Sequence, residues 1–138
     1  MATPEITESH HAQVGEMRVG RALPRRARRT VGAWCFADHM GPMTATAEVG
    51  ADIGPHPHIG LQTVTWLTAG ELLHRDSLGT EQLIRAGQLN LRTAGHGVSP
   101  AEQSPGIHPG LLGGIQLGVA RPEETRDGPA AFEHHAEL

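Results

Sequence analysis

Two histidines one residue apart, His56 and His58, are the part of this sequence best suited to chemistry. If the segment is a strand, alternate residues face the same side, so both imidazoles project together with about 6 to 7 Å between their backbones. Two rings at that distance can converge on one transition-metal ion. Taken alone, the pattern is more typical of histidines that lie on a surface or in a core without a ligand. Pro55 and Pro57 remove two backbone donors, which favours an edge or irregular strand.

A metal ion needs further ligands, and residues 93–102 (TAGHGVSPAE) contain two candidate side chains. Glu102 is a candidate oxygen ligand. His96 lies six residues earlier, about 20 Å away along an extended strand, so it does not fit the same ion unless the glycines fold the segment back. We therefore expect His96 near the rim of the fold, packed or exposed.

The composition limits the sites that the chain can form. Its 138 residues include 10 His and 1 Cys, which excludes a disulfide framework and a cysteine-rich zinc site, so any metal must be held by histidines and carboxylates. A net charge of -4 gives no attraction to nucleic acid. No apolar run approaches the ~18 residues of a membrane span, and the acidic N-terminus lacks a signal-peptide pattern. The sequence predicts one cytoplasmic domain that binds neither membrane nor nucleic acid.

The residues around these candidates are expected to form strands. The 18 Gly and 10 Pro divide the chain into short segments, and no stretch of about 12 residues keeps a helical period. We predict strands at residues 61–67, 71–76, 82–85, 88–92 and 111–119, with turns at 68–70 and 77–80. Strands at this spacing are typical of a sandwich or small barrel. If no bulge intervenes, the face of His56 and His58 continues to Gln62, Val64 and Trp66, which would then line the interior.

Several segments resemble the N-terminal domain of the pirin family, within the cupin superfamily. The main ones are residues 28–42 (RRTVGAWCFADHMGP), 54–79 (GPHPHIGLQTVTWLTAGELLHRDSLG) and 93–98 (TAGHGV). Residues 114–117 and 129–135 are similar to the end of that domain and the start of its linker. The resemblance covers nearly the whole chain and implies an all-β fold, a cupin-type antiparallel β-barrel (jelly roll) with low helix content.

The same resemblance divides the chain into three parts. Residues 1–13 are expected to be a flexible N-terminus, residues 14–122 the pirin-like cupin domain, and residues 123–138 a tail similar to the pirin interdomain linker. The second cupin domain of typical pirins has no counterpart in these 138 residues. If the domain interface of the family is apolar, the matching surface would be exposed, and we expect homo-oligomerisation to cover it.

Pirin-family members bind one metal ion, usually iron, through three histidines and one glutamate. The resemblance assigns two of these ligands to His56 and His58 and the glutamate to Glu102. The remaining histidine position is Pro100, which has no ligating side chain, and Ser99 beside it would face the wrong way. Two histidines and one carboxylate still have the composition of a facial triad for Fe(II). The resemblance thus implies an incomplete site that holds Fe(II) or another divalent metal weakly, or that holds none.

Two further positions depart from the family. Gly118 lies near a family tryptophan and predicts a void that other groups must fill, while Arg121 brings a charge to a position that the family buries. Core packing is expected for residues 34–36 (WCF), with Cys35 as a buried thiol.

The other histidines and the basic segment have less specific expectations. His74 lies either beside the metal or in a structural hydrogen bond. His108, on a proline-flanked loop, is the nearby histidine that could replace the missing ligand. His134 and His135 are expected to be mobile, and residues 21–29 (RALPRRARR) are expected to be solvated, because no aromatic residue interleaves with the arginines.

Two functions follow from these observations. The first is an oxygenase of the quercetin 2,3-dioxygenase type, in which Fe(II) binds a flat flavonol-like substrate and O2, Glu102 acts as ligand and candidate catalytic base, and an apolar pocket forms near Val64, Trp66 and Leu72. The second is a non-catalytic binding or regulatory module, poor in metal or free of it, that acts through a protein partner. Pro100 favours the second function.

Overall fold

The computed structural model describes residues 2–45, 52–104 and 110–138, so the expectation for His108 lies outside the described residues. Within these ranges the chain forms one short helix, α1 (Glu123–Arg126), and a set of strands. The strands are β1 (His10–Val14), β2 (Met17–Leu23), β3 (Trp34–Ala45), β4 (Leu61–Ala69), β5 (Glu71–Asp76), β6 (Glu81–Arg85), β7 (Leu89–Thr93), β8 (Pro100–Gln103), β9 (Gly110–Ala120) and β10 (Ala131–His135). No helix in the described ranges is long and apolar enough to cross a membrane.

The strands form two antiparallel sheets. The large sheet has the order β1-β2-β3-β9-β4-β7-β10, and the small sheet has the order β6-β5-β8. This confirms the predicted all-β antiparallel fold with little helix. The strand predicted at 71–76 coincides with β5, whereas β4 continues through the turn predicted at 68–70 as far as Ala69.

One layer of the interior is apolar and lies between the two sheets. Its members are the buried side chains of Met17, Val19, Met40, Ile53, Leu67, Leu72, Ile84 and Leu112. Val19, Met40 and Leu67 follow one row of paired residues across the large sheet. Each such buried side chain stabilises the fold by roughly 1.5–3 kcal/mol. This layer therefore supplies the hydrophobic core.

The face of β4 that points inward is the opposite of the predicted one. Thr63 and Thr65 are buried, whereas Trp66 is 37% exposed. The alternation breaks at Gly60, whose φ of 67° is a left-handed conformation that a continuous strand does not contain. The prediction that Val64 and Trp66 line an interior pocket with Leu72 is therefore wrong for the first two, and only Leu72 lies in the core.

A polar row crosses the inner face of the large sheet next to the apolar layer. Its members pair directly across neighbouring strands, in the order Arg21, Asp38, Gln116, Thr65, Asn90 and His134. The Arg21 guanidinium donates two hydrogen bonds of 2.8 Å to the Asp38 carboxylate, which raises the pKa of Arg21. Nδ1 of His134 donates to Oδ1 of Asn90 at 2.7 Å. Side-chain hydrogen bonds thus satisfy polar groups that the fold places in its interior.

The structure differs from the expectations at three places: the C-terminal strand, the basic segment and the N-terminus. His134 is half-buried and hydrogen-bonded in β10, so it is not a mobile terminal residue. Arg21 belongs to a partly buried ion pair and not to a solvated basic segment, although residues 26–29 are exposed. At the other end, β1 begins at His10, inside the range that was expected to be flexible.

Phe36 fills the space left by Gly118. A Cβ built on Gly118 would overlap the Phe36 ring, so the ring lies directly over the glycine, as the predicted void requires. Cys35 is half-buried, and Trp34 is 43% exposed, so the expectation of core packing for residues 34–36 is wrong for Trp34. The interior accepts one aromatic ring at this point because position 118 has no side chain.

We expect Gly118→Ala to lower the free energy of unfolding by about 1–3 kcal/mol, because the Phe36 ring must move out of its place. In a Phe36→Ala background the same substitution should have a much smaller effect, since the added methyl group then has room. Urea denaturation of the four proteins measures both effects. Equal losses in the two backgrounds would show that the ring is not what excludes a side chain at position 118.

Candidate functional site

The segment that carries the two candidate histidines extends the small sheet. Ile53 exchanges backbone hydrogen bonds with Glu102, and His58 does so with Val98, so the segment runs antiparallel along the free edge of β8. Between these bridges the pairing shifts by one residue, and only the N–H of His56 bonds, to the carbonyl of Pro100 at 3.2 Å. This confirms the irregular edge strand that the two flanking prolines predict.

The His56 ring is oriented by a backbone carbonyl two residues earlier in the same segment. Its Nδ1 lies 2.8 Å from the carbonyl oxygen of Gly54. A carbonyl oxygen only accepts, so Nδ1 carries the proton and Nε2 keeps its lone pair. The His56 and His58 rings meet edge to face with centroids 4.8 Å apart. One nitrogen of His56 is therefore available to a ligand.

His58 has a different partner, because a guanidinium nitrogen of Arg92 lies 3.0 Å from its Nδ1. A guanidinium only donates, so Nδ1 of His58 accepts and the proton of the neutral ring lies on Nε2. The same Arg92 nitrogen lies 3.2 Å from Oγ1 of Thr63. The two histidines thus have opposite tautomers, and His58 presents a donor where His56 presents an acceptor.

Arg92 also faces Glu102 across the two sheets. The closest approach is 3.7 Å, from a guanidinium nitrogen to Oε1, and both side chains are buried, with 4% exposed for Arg92 and 6% for Glu102. Burial lowers the pKa of Arg92, and the charges of Glu102 and Asp76 oppose that shift. Nε2 of Gln116 lies 3.3 Å from the same Glu102 oxygen and 3.1 Å from Oγ1 of Thr65. Two residues of the large sheet therefore hold the carboxylate of the small sheet.

Pro100 is fully buried and lies beside His56, with Asp76 as its paired residue on β5. Its ring supplies no donor to a metal. In the part of the chain that the structure describes, no three His, Cys, Asp or Glu side chains form a group that could hold a metal ion. As arranged here, with Pro100 in one position and Arg92 on a nitrogen of His58, the side chains do not fit a tightly bound metal.

A cavity of about 390 Å³ nevertheless brings His56, His58 and Glu102 to one place. The other residues around it are Val14, Arg21, Pro24, Cys35, Phe36, Asp38, Ile53, Leu61 and Gln116. Cys35 thus lines this cavity and is not a thiol of the core. The cavity combines an apolar wall with a few fixed polar groups, which is the usual composition of a small-molecule site.

His74 forms a structural hydrogen bond, which was one of the two roles expected for it. It is 3% exposed, and its Nε2 donates to Oδ2 of Asp76 at 2.9 Å. Its ring stacks on Phe132 of β10, with centroids 4.7 Å apart and 9° between the planes. Burial raises the pKa of Asp76, but hydrogen bonds from His74, Thr80 and Leu78 outweigh burial and lower it. His74 pairs directly with Glu102 across the small sheet, so this network lies next to the strand position that carries the carboxylate.

The remaining candidates lie away from the cavity. His96 is exposed, as expected, and its Nδ1 donates to the carbonyl of Gly128 at 3.0 Å. Arg121 is half-buried, and its Nε has no hydrogen-bond partner in the described part of the chain.

Arg92 is a site residue that the sequence did not single out. The available signal was the alternation in β7, in which the polar Asn90 and Arg92 alternate with the apolar Leu89 and Leu91.

His58 leads to a prediction about pH. Burial first, and then repulsion by Arg92 and His56, lowers its pKa to about 4. An unfolded chain binds this proton near pH 6.5 and the folded chain only near pH 4, so His58 destabilises the fold increasingly as the pH falls from about 6.5 to 4 and has no such effect above that range. His58→Gln should make the free energy of unfolding fall less between about pH 7 and pH 5 in urea titrations. His96→Gln, at an exposed position, is the control, and identical pH slopes for His58→Gln and the unchanged protein would contradict the prediction.

Residues 16–119 match the family model described as Pirin. A Pseudomonas aeruginosa protein that carries quercetin 2,3-dioxygenase as a provisional name is 52% identical over 125 residues, which are 90% of this chain and 39% of the relative. A pirin-like protein of Caulobacter vibrioides is 41% identical over 136 residues, covering 94% of this chain and 46% of the relative.

Solved structures show the same fold. The crystal structure of a quercetin 2,3-dioxygenase from Acinetobacter baumannii superposes with a TM-score of 0.91 at 47% identity, over 96% of this chain and 44% of that chain. The bacterial pirin YhhW of Escherichia coli, solved in complex with nickel(II), shares the fold with a TM-score of 0.73 at 20% identity, over 94% of this chain and 55% of that chain. The chain spans less than half of the length of the curated relatives that it matches. Taken together with the antiparallel double sheet, these similarities show that the chain belongs to the pirin family.

Proposed function

We propose that this chain is a pirin-family module that binds a small ligand in the 390 Å³ cavity without a tightly held metal ion and without catalysing oxygenation. The observation that carries the proposal is Pro100, which is buried at the third histidine position and has no donor atom. The loss of one ligand from four is expected to lower metal affinity by orders of magnitude. What remains is a shaped pocket with fixed hydrogen-bonding groups.

Those groups suit a flat, hydroxylated aromatic molecule, such as a flavonol-like compound. Nε2 of His56 and the carboxylate of Glu102 can each accept a hydrogen bond from a hydroxyl group of the ligand. The Nε2–H of His58 can donate one to a ligand oxygen. Phe36 supplies an apolar wall for an aromatic ring. Adjacent donors and acceptors of this kind orient hydroxyl and carbonyl groups without the help of a metal.

A second candidate is the oxygenase itself, and its support is the high identity to proteins named quercetin 2,3-dioxygenase. In that case His56, His58 and Glu102 would hold Fe(II) or another divalent ion. The ion would supply a Lewis acid for the substrate oxygen and for O2. Of the two described carboxylates that line the cavity, Glu102 would be the one placed to take up the substrate proton, because Asp38 is held by Arg21.

Metal content and oxygen uptake separate the two candidates. We expect protein purified without added metal to contain far less than one ion per chain, and to consume no O2 with quercetin after Fe(II) is added. The same preparation should bind quercetin in calorimetry, and Gln116→Leu, inside the cavity, should weaken that binding by about tenfold. Gln62→Leu on the outer face of β4 is the matched control. One tightly held ion per chain, or oxygen uptake that depends on Fe(II), would overturn the proposal.

The outer face of the large sheet supplies a surface for a protein partner, and we propose that a second copy of this chain binds there. Strand pairing places six apolar side chains side by side on this face, namely those of Val64, Trp66, Leu89, Leu91, Ile115 and Leu117. A partly exposed apolar face of this kind is typical of a surface that another chain covers, and a symmetric dimer covers it with the same face of a second copy.

Sedimentation at several protein concentrations tests this surface. We expect the unchanged chain to form a dimer and Trp66→Glu to shift it towards the monomer, because a charge would enter the apolar face. Leu78→Glu, at a residue that is 48% exposed in the turn after β5, is the matched control and should leave the dimer intact. A monomer at all concentrations for the unchanged protein would refute the dimer.

A further inference from the structure

We propose that Arg92 is a built-in cation that gives Glu102 the positive partner a metal ion would otherwise be, and that it excludes a divalent ion even when the missing ligand is restored. The inference rests on the proposed function, because it explains why the cavity works without a metal. It goes further by assigning the exclusion to a residue outside the ligand set. The family ligand positions alone do not indicate Arg92.

The first argument is the tautomer of His58. A metal could bind Nε2 of His58 only if the proton moved to Nδ1. That proton would then point at the guanidinium nitrogen of Arg92, 3.0 Å away, and two donors would face each other. As long as Arg92 keeps this contact, Nε2 of His58 is a donor and not a ligand.

The second argument is charge. The guanidinium stays protonated in proteins, and it lies 3.7 Å from the carboxylate of Glu102, so that carboxylate already has a cationic partner. A divalent ion on Glu102 would place two more positive charges beside a buried guanidinium, where little solvent screens the repulsion. Glu102 can therefore serve Arg92 or a metal, but not both at once.

The third argument is that Arg92 is built into the fold. It is 4% exposed, and its strand, β7, lies between β4 and β10, so the side chain has no direct path to solvent. Thr63 and Phe132 are its paired residues on those two strands, and Thr63 also accepts one of its hydrogen bonds. The contacts with His58 and Glu102 are thus part of the packed interior.

The consequence concerns the two positions together. If Arg92 excludes the metal, then Pro100→His restores the fourth ligand but still leaves His58 in the wrong tautomer and Glu102 in an ion pair. Tight metal binding should therefore require two changes together: loss of the Arg92 guanidinium and a histidine at position 100. Arg92→Met gives an uncharged side chain of similar length.

The experiment uses four proteins: the unchanged chain, Pro100→His, Arg92→Met and the double variant. Calorimetry with nickel(II) alone measures affinity. We expect the double variant to bind nickel(II) at least about tenfold more tightly than Pro100→His, with only weak binding in the unchanged chain. The control is a second double variant, Asn90→Ser with Pro100→His, because Asn90 lies on the same strand and face as Arg92. This control tests for a general loosening of β7, and it should bind nickel(II) no more tightly than Pro100→His.

Imidazole ¹⁵N chemical shifts provide a readout that does not depend on any variant. In the unchanged chain the proton of His58 should be on Nε2, and in Arg92→Met it should become free to occupy Nδ1. A proton on Nδ1 of His58 in the unchanged chain would overturn the inference even if the variants do not fold. Equal nickel(II) affinity for Pro100→His and the double variant would also overturn it, while leaving the proposed metal-poor function intact. Stoichiometric metal in the unchanged chain would instead refute the proposed function.

Discussion

A guanidinium and a carboxylate face each other between the two sheets, and the arrangement of the interior depends on this buried pair. Removing a charge from water costs several kcal/mol unless partners replace the solvent. Here the pair lies at 3.7 Å, and further polar groups surround it: Thr63 and His58 on the side of Arg92, and Gln116 on the side of Glu102. Nε of Arg92 has no hydrogen-bond partner among the described residues, so charge attraction and the contacts of its other nitrogens hold the guanidinium. These partners come from different strands, so the pair links the two sheets at this point.

The interior is divided into layers that have separate tasks. The apolar layer around Leu67 and Met40 contains no group that needs a partner, so it supplies hydrophobic stability. The polar row from Arg21 to His134 lies next to it and satisfies its own members across the strands. The cavity lies between that row and the irregular edge strand, because Arg21, Asp38 and Gln116 of the row line it together with His56 and His58. The polar row therefore takes part in the ligand site, whereas most of the apolar layer serves stability alone.

The sequence predicted β4 to β7, β9 and the irregular histidine segment, because each depends on a local pattern, but it assigned no strand to the segments that form β1, β2, β3, β8 and β10. Gly70, Gly79 and Gly87 mark the ends of β5 and β6, and the prolines beside His56 and His58 favour an edge or irregular strand. The orientation of β4 was not predictable in this way, since the alternation reverses at Gly60, whose left-handed φ is a property of the fold. The alternation in β7 was ambiguous for another reason. Leu89 and Leu91 point outward on an apolar face, so the usual assumption that apolar residues point inward misplaces Arg92.

A buried carboxylate needs a positive partner, and this requirement relates positions 92, 100 and 102 to one another. In a site with a bound metal the ion satisfies the carboxylate, and a guanidinium at the same place would repel the ion. In this chain the guanidinium satisfies Glu102, and an imidazole at position 100 would have no ion to bind. Once Arg92 is present, a compact apolar ring at position 100 fills the space beside His56 without adding an unpaired donor or acceptor to the interior. Pro100 is then consistent with a site organised around a fixed cation, and one electrostatic requirement accounts for the residues at positions 92 and 100.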